Sequence, residues 1–154
     1  MIISFDTNIL VYATASPPDA KALRARELIT RAMRAGSTIL MLQTLAEFAN
    51  VAIRKAGIPI EDIRRIIDAW RAVLPIQAAD GDDLAAALEA IRAHRLSFWD
   101  AMLWASAQRA GVRCLLTEDL QDGFILQSVR FVNPFKRAND RLIDEVLPPA
   151  AART

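Results

Sequence analysis

The sequence predicts an α/β fold, a parallel sheet covered by helices on both faces, and three observations carry that prediction. Short apolar runs at 2–5, 38–42, 74–78, 112–117 and 129–132 recur along the chain, and each is of strand length. Longer stretches with helical spacing separate them, so successive strands must be joined by helical crossovers, which places them parallel. With 154 residues, 53% of them hydrophobic, the chain can bury a full core as one unit.

The elements follow in order. Residues 2–5 read as a strand, and 7–14 as the turn and short helix after it. Pro17 and Pro18 interrupt the chain, and Asp19 can cap a helix that runs through Leu23, Leu28, Ile29 and Met33 to Gly36. The run at 38–42 is the second strand. Thr44 opens a helix with Leu45, Ala49, Ala52, Ile53 and Ala56 on one side, stopped at Gly57 and Pro59. Residues 61–73 form another helix, 74–78 a short strand, 80–94 an amphipathic helix and 98–110 an unusually apolar one. A strand at 112–117, a polar turn at 118–123 and a last short strand at 129–132 complete a domain over 1–136. The remainder, 137–154, reads as a tail with one short helix at 139–147 and a frayed end.

Composition narrows the function. Cys114 is the single cysteine, so neither a disulfide framework nor a cysteine-rich zinc site is available, and its apolar surroundings predict a buried, inert thiol. The start Met1-Ile2-Ile3 has no basic leader, and no uncharged stretch approaches the ~20 residues of a membrane span. A cytoplasmic location is the expectation. The formal net charge of +1 does not by itself announce a nucleic-acid partner.

In open α/β sheets, ligands bind beyond the carboxyl ends of the strands. Four acids fall at or near that edge: Asp6 after the first strand, Glu47 at the start of the helix after the second, Asp100 opening the apolar helix, and Asp119 after the 112–117 strand. Gathered carboxylates repel one another, and a cation would offset that cost. Oxygen donors with no histidine or cysteine nearby in sequence favour Mg²⁺ or Mn²⁺ over zinc. Each acid also has a plain structural reading. Asp6 can cap a helix, Glu47 can be a solvated helical residue, Ser97 with Asp100 resembles a capping box, and Asp119 and Asp122 suit a polar turn. Asp100, however, leads a helix face shared with Leu103, Trp104 and Ala107, where an unpaired carboxylate is costly.

Other chemistries find less support. His94, the only histidine, ends a helix, where a cation is favoured without any catalytic role. No G-x-S-x-G nucleophile motif is present. Trp70, Trp99 and Trp104 lie in apolar helical patterns and are expected in the core, a base-stacking platform being the less favoured alternative.

Four segments in this order resemble the PIN-domain family, and within it the VapC-like toxin branch. They are Phe5-Asp6-Thr7-Asn8-Ile9-Leu10-Val11-Tyr12, Gln43-Thr44-Leu45-Ala46-Glu47-Phe48, Ser97-Phe98-Trp99-Asp100-Ala101, and the stretch Leu115-Leu116-Thr117-Glu118-Asp119-Leu120-Gln121-Asp122-Gly123. The closing 125–135 segment, ending Asn-Pro-Phe, is similar too. The resemblance implies a three-layer α/β/α sandwich with a central, mainly parallel sheet, and Mg²⁺- or Mn²⁺-dependent endoribonuclease activity. It implies Asp6, Glu47, Asp100 and Asp119 as the catalytic acids, with Thr7 and Asn8 in support. Asp6 and Asp100 would be direct metal ligands, Asp119 a direct or water-mediated one, and Glu47 would position a second ion or the attacking water. Glu118 and Asp122 compete with Asp119 for the fourth position. The implied partners are an RNA substrate, a small antitoxin, and a second copy of the chain. Excess apolar residues at Ile60, Ile63, Ile67 and Trp70 also point to a homodimer, with antitoxin docking near the same helices or across the pocket.

Two rival readings differ in class. A phosphatase of the haloacid-dehalogenase type needs an Asp where Asn8 stands, and a receiver-type domain needs paired acids after its first strand. A catalytically inactive RNA- or protein-binding module on the same fold would not need all four acids.

Overall fold

The structure, a computed structural model, describes residues 1–149. Its elements are β1 (Ile3–Phe5), α1 (Thr7–Thr14), α2 (Ala20–Ala35), β2 (Leu40–Met41), α3 (Leu42–Arg54), α4 (Ile60–Arg71) and β3 (Ile76–Gln77). Then come α5 (Gly81–His94), α6 (Phe98–Arg109), β4 (Cys114–Leu116), β5 (Ile125–Leu126) and β6 (Val129–Val132). A 3₁₀ turn (Arg137–Asn139) leads into α7 (Asp140–Val146).

The main sheet has the order β1-β4-β6-β5, with β1, β4 and β6 parallel and β5 an antiparallel edge. Strands β2 and β3 form a small parallel pair. Hydrogen bonds from Ile3 N–H to Ser37 O (2.9 Å) and from Ile39 N–H to Ile3 O (3.0 Å) join the approach to that pair to β1.

Alternation along the strands builds the layers. Cys114 and Leu116 face one core with Phe5, Leu28 and Phe48, while Leu115 faces the other with Trp104 and Phe131. Helices α1 to α4 and α7 contribute to the first core, and α5 and α6 to the second. The result is a three-layer α/β/α sandwich whose central strands are buried on both sides. Small residues, Ala87 and Ala90 on α5 with Ala101, Ala105 and Ala107 on α6, build much of the second core. A buried ion pair also joins those helices: Arg109 Nε and Nη2 donate to the two Asp83 carboxylate oxygens, each at 2.8 Å.

Several expectations need correction. Helix α3 starts at Leu42, two residues before Thr44, and has no side-chain cap. Thr44 is buried instead, and its hydroxyl donates to the Phe5 carbonyl at 3.3 Å. The edge strand β5 was not anticipated; it is two residues long and turns into β6 through Gln127 at φ 52. Ile63 and Trp70 are spent in the core rather than on an interface, because α4 packs them against α3, with the Trp70 and Phe48 rings 5.0 Å apart. Ile60, at 63% exposed, does remain on the surface.

Trp70 and Trp104 are core residues as expected, with Trp104 Nε1 donating to the Leu126 carbonyl at 3.2 Å. Trp99 is not: it is 61% exposed. It lies in the first turn of α6, where Phe98 is also exposed; the core contacts of the helix begin at Ala101.

The segment after Lys136 is packed against the sandwich, with Ile143, Val146 and Leu147 of α7 and its end joining the first core. Arg24 and Arg31 of α2 anchor it through Asp140 (2.9 Å) and Asp144 (2.5 Å). The frayed end expected beyond Pro149 lies outside the described residues. Among the described residues no helix is long and apolar enough to cross a membrane.

Candidate active site

Strands β1 and β4 run side by side with Phe5 opposite Leu116, so the residues that follow them, Asp6 and Thr117, are neighbours. Asp6 caps α1 and is buried, only 6% exposed. The Thr7 N–H donates to its Oδ1 at 2.6 Å, and the Thr117 hydroxyl donates to its Oδ2 at 2.7 Å. Burial pushes the Asp6 pKa up to about 6, against the lowering pull of those two hydrogen bonds; Asp119 and Asp100 add repulsion in the same direction as burial.

Glu47 reaches the same edge from α3. The Thr7 hydroxyl donates to its Oε2 at 2.9 Å, and Gln43, one turn earlier on α3, donates to its Oε1 at 2.8 Å. The same Gln43 nitrogen donates to the Trp99 carbonyl at 3.0 Å, tying α3 to the start of α6.

Asp100 lies in the first turn of α6. Ser97 caps that helix, accepting from the Asp100 N–H at 3.2 Å, and its hydroxyl lies 2.6 Å from the Asp100 carboxylate. The capping role is therefore real, and it also fixes the acid beside the Asp6 pocket. Asp119 follows β4. Its N–H donates to the Thr117 hydroxyl at 3.2 Å, and Asn8 donates to its Oδ2 at 2.5 Å. Partial burial raises the Asp119 pKa, with further upward pushes from Glu118 and Asp100 and an opposing bond from Asn8.

The two competitors for the fourth position are occupied elsewhere. Burial works to raise the Glu118 carboxyl, but Lys21, 2.5 Å away, and the Tyr12 hydroxyl outweigh it and hold its pKa low. For Asp122, burial is likewise outweighed by the Asn133 N–H, the Asn139 amide and Lys136, which lower its pKa. Asp119 is the acid of the three that interacts with Asp6 and Asp100.

The structure thus brings Asp6, Asp100 and Asp119 into one electrostatic group, with Glu47 joined through Thr7. Three further residues support these acids. Ser97 is the cap that the sequence predicts, Gln43 has no role that the sequence makes legible, and Thr117 had a signal: it follows β4 as Asp6 follows β1. His94 ends α5 away from this group, its ring 6.0 Å from that of Phe124. Cys114 is buried in the sheet, where desolvation pushes its pKa up to about 12 and leaves the thiol inert.

Among the described residues, no three such side chains already stand as a metal-ligand shell. Each carboxylate is held by a hydroxyl or amide of its own instead. The donor set still fits a hard divalent cation: it is all oxygen, and a cation would relieve both the burial of Asp6 and the repulsion among the acids.

Fold and pocket together define an α/β/α sandwich with clustered acids at the carboxyl edge of its parallel strands. Residues 3–124 match the PIN domain model, and the chain belongs to the PIN domain family. Its solved structural neighbours include a toxin and a toxin–antitoxin complex. VapC20 of Mycobacterium tuberculosis, a sarcin-ricin loop cleaving toxin, is 21% identical over 76% of this chain and 89% of its own, with a TM-score of 0.62. A toxin–antitoxin complex from Klebsiella pneumoniae gives 20% identity over 87% and 98%, with a TM-score of 0.64. The DNA-bound VapBC of Salmonella typhimurium gives 16% over 85% and 96%, with a TM-score of 0.61. At these identities the likeness is one of fold. No curated protein sequence matches the chain significantly.

Proposed function

We propose that this chain is a divalent-metal-dependent endoribonuclease and the toxin of a toxin–antitoxin pair. The observation that carries this reading is the buried Asp6, set against Asp100 and Asp119 at the edge of a PIN fold. A buried carboxylate that other carboxylates repel is a stability cost that a structural role does not require.

Asp6 and Asp100 would hold Mg²⁺ or Mn²⁺ directly, and Asp119 directly or through water. A bound divalent ion supplies Lewis-acid stabilisation of charge developing on the phosphodiester. The rest of the work falls to the chain's own groups. Thr117 and Thr7 hold the Asp6 carboxylate in place. Glu47, held on both oxygens by Thr7 and Gln43, would position a second ion or the attacking water. Asn8 and Ser97 hold Asp119 and Asp100 against random rotation.

The toxin role is supported by the neighbours, among which are toxin–antitoxin complexes of the same fold. The proposed partners are RNA as substrate, a small antitoxin, and a second copy of the chain. Purified protein incubated with total cellular RNA tests the activity: cleavage is expected with millimolar Mn²⁺ and none with EDTA. Cleavage that persists in EDTA, or none in either condition, would count against the reading.

A further inference from the structure

Trp99 stands out from the other tryptophans. Its ring is largely exposed, yet its position is fixed: it packs edge-on against Phe98 with centroids 5.0 Å apart, and its carbonyl accepts from Gln43. It walls a cavity of about 730 Å³ that also takes in Gln43, Glu47, Asn50, Val51 and Met102. Glu47 belongs to this cavity and to the acidic group at once, so the two are continuous.

We propose that this cavity is a nucleobase subsite for single-stranded RNA, with Trp99 as the stacking surface; the inference rests on the ribonuclease reading and extends it to substrate recognition. The chemistry of the walls argues for a base. An exposed indole offers a flat π-face of the kind on which unpaired bases stack without regard to sequence. The Asn50 carboxamide carries the paired donor and acceptor that match base edges, and Gln43 adds an acceptor. The Gln43 nitrogen is committed to Glu47 and Trp99, which leaves its carbonyl oxygen to accept from an exocyclic amine. Asn50 is exposed on the cavity wall, one turn beyond Glu47 on α3, where its amide can meet a base edge. Val51 and Met102 supply the apolar contact that a base, but not a phosphate, can use.

A second copy of the chain is the rival occupant of this cavity, and it would cover the Trp99 ring with protein. A single-stranded RNA instead places a base on Trp99 and its adjoining phosphate beside the acids, which is what cleavage requires.

The test uses binding, so that it does not depend on catalysis. Short single-stranded RNAs carrying 2-aminopurine at successive positions are titrated, in millimolar Ca²⁺, into full-length Asp6→Asn protein with and without Trp99→Ala or Trp99→Phe. The expected result is a position-specific fluorescence change, about tenfold or more weaker binding for Trp99→Ala, and partial rescue by Trp99→Phe. Asn50→Ala should change the order of preference among bases while leaving affinity for the best of them within a few-fold. Equal binding with and without the Trp99 ring overturns the proposal, as does a failure of the parent to bind RNA. So does a fall in mass by sedimentation in Trp99→Ala with RNA affinity unchanged, which would assign the face to a second copy. Wild-type cleavage is scored separately. Cleavage with no Trp99-dependent binding removes the subsite alone, whereas Trp99-dependent binding with no cleavage removes the nuclease reading alone.

Discussion

The Thr117 hydroxyl donates to Asp6 Oδ2 at 2.7 Å, joining the ends of two neighbouring parallel strands through one hydrogen bond. It is among the forces that keep Asp6 from rising further, since a hydrogen bond to the carboxylate favours the ionised form. Removing it with the isosteric Thr117→Val should raise the Asp6 pKa above its present value of about 6. Because a ligating carboxylate must be deprotonated, Mn²⁺ binding would then need a higher pH. Calorimetric titration of Mn²⁺ across pH checks this, with an upward shift of the binding midpoint expected in the variant.

Asp6 also sets a pH dependence of stability. Its folded pKa, about 6, lies above the ordinary 3.8. Between those values the folded state binds more protons than the unfolded one, so stability falls as pH rises through the window. The full cost is present above pH about 6 and absent below about 4. The shift corresponds to about 3 kcal/mol at most. Asp6→Asn keeps the helix cap and removes the charge. In EDTA it should be about 1–3 kcal/mol more stable than wild type near pH 8 and no more stable near pH 4. Urea denaturation at both pH values makes the comparison.

Much of this was legible in the sequence because burial and charge repeat at recognisable distances. Apolar runs of strand length located β1, β4 and β6; an acid directly after the first strand marked Asp6, and one in the turn beyond the 112–117 run marked Asp119. Legibility failed where long-range packing decides. The pattern around Leu42 suits strand or helix equally, and it is the long-range anchoring of Thr44 to the Phe5 carbonyl of β1 that accompanies the earlier helix start. Trp99 and Trp104 both sit in an apolar helical pattern, but Trp99 falls in the first turn of α6, ahead of the buried stretch that begins at Ala101. Gln43 looks like an ordinary helix residue, and Ser97 like a helix cap alone, until the elements they connect are assembled. Choosing Asp119 over Glu118 needed Lys21 and Tyr12, both about a hundred positions away in the chain.

The Asp83–Arg109 pair is a stability feature independent of the candidate site. Asp83 is 2% exposed, and the Arg109 hydrogen bonds hold its pKa below the ordinary value. A depressed carboxyl stabilises above its unfolded pKa and loses that contribution as pH falls through the folded one. Asp83→Asn leaves Arg109 half-paired and should cost about 1–3 kcal/mol near neutral pH, the lower end reflecting the solvent exposure of Arg109. The loss should shrink toward acid pH. RNA cleavage per folded molecule should stay within a few-fold of wild type.

Metal binding gives a substrate-free reading of the acidic group. An ion that binds only the folded state stabilises by RT ln(1 + [L]/Kd), about 2.7 kcal/mol at a hundred times Kd. Wild type should melt higher in millimolar Mn²⁺ than in EDTA, and Asp100→Asn should gain clearly less. Equal gains would remove Asp100 from the ligand set.

The central claim, that Asp6, Asp100 and Asp119 work together as a metal-dependent RNA-cleaving centre, is tested most directly by one comparison. Wild type and Asp100→Asn, both verified as folded by circular dichroism, are assayed side by side on single-stranded RNA in millimolar Mn²⁺. The account predicts cleavage by the wild type and a loss of about a hundredfold or more in the variant, as removal of a group that acts on the transition state produces. Full activity in folded Asp100→Asn would contradict it.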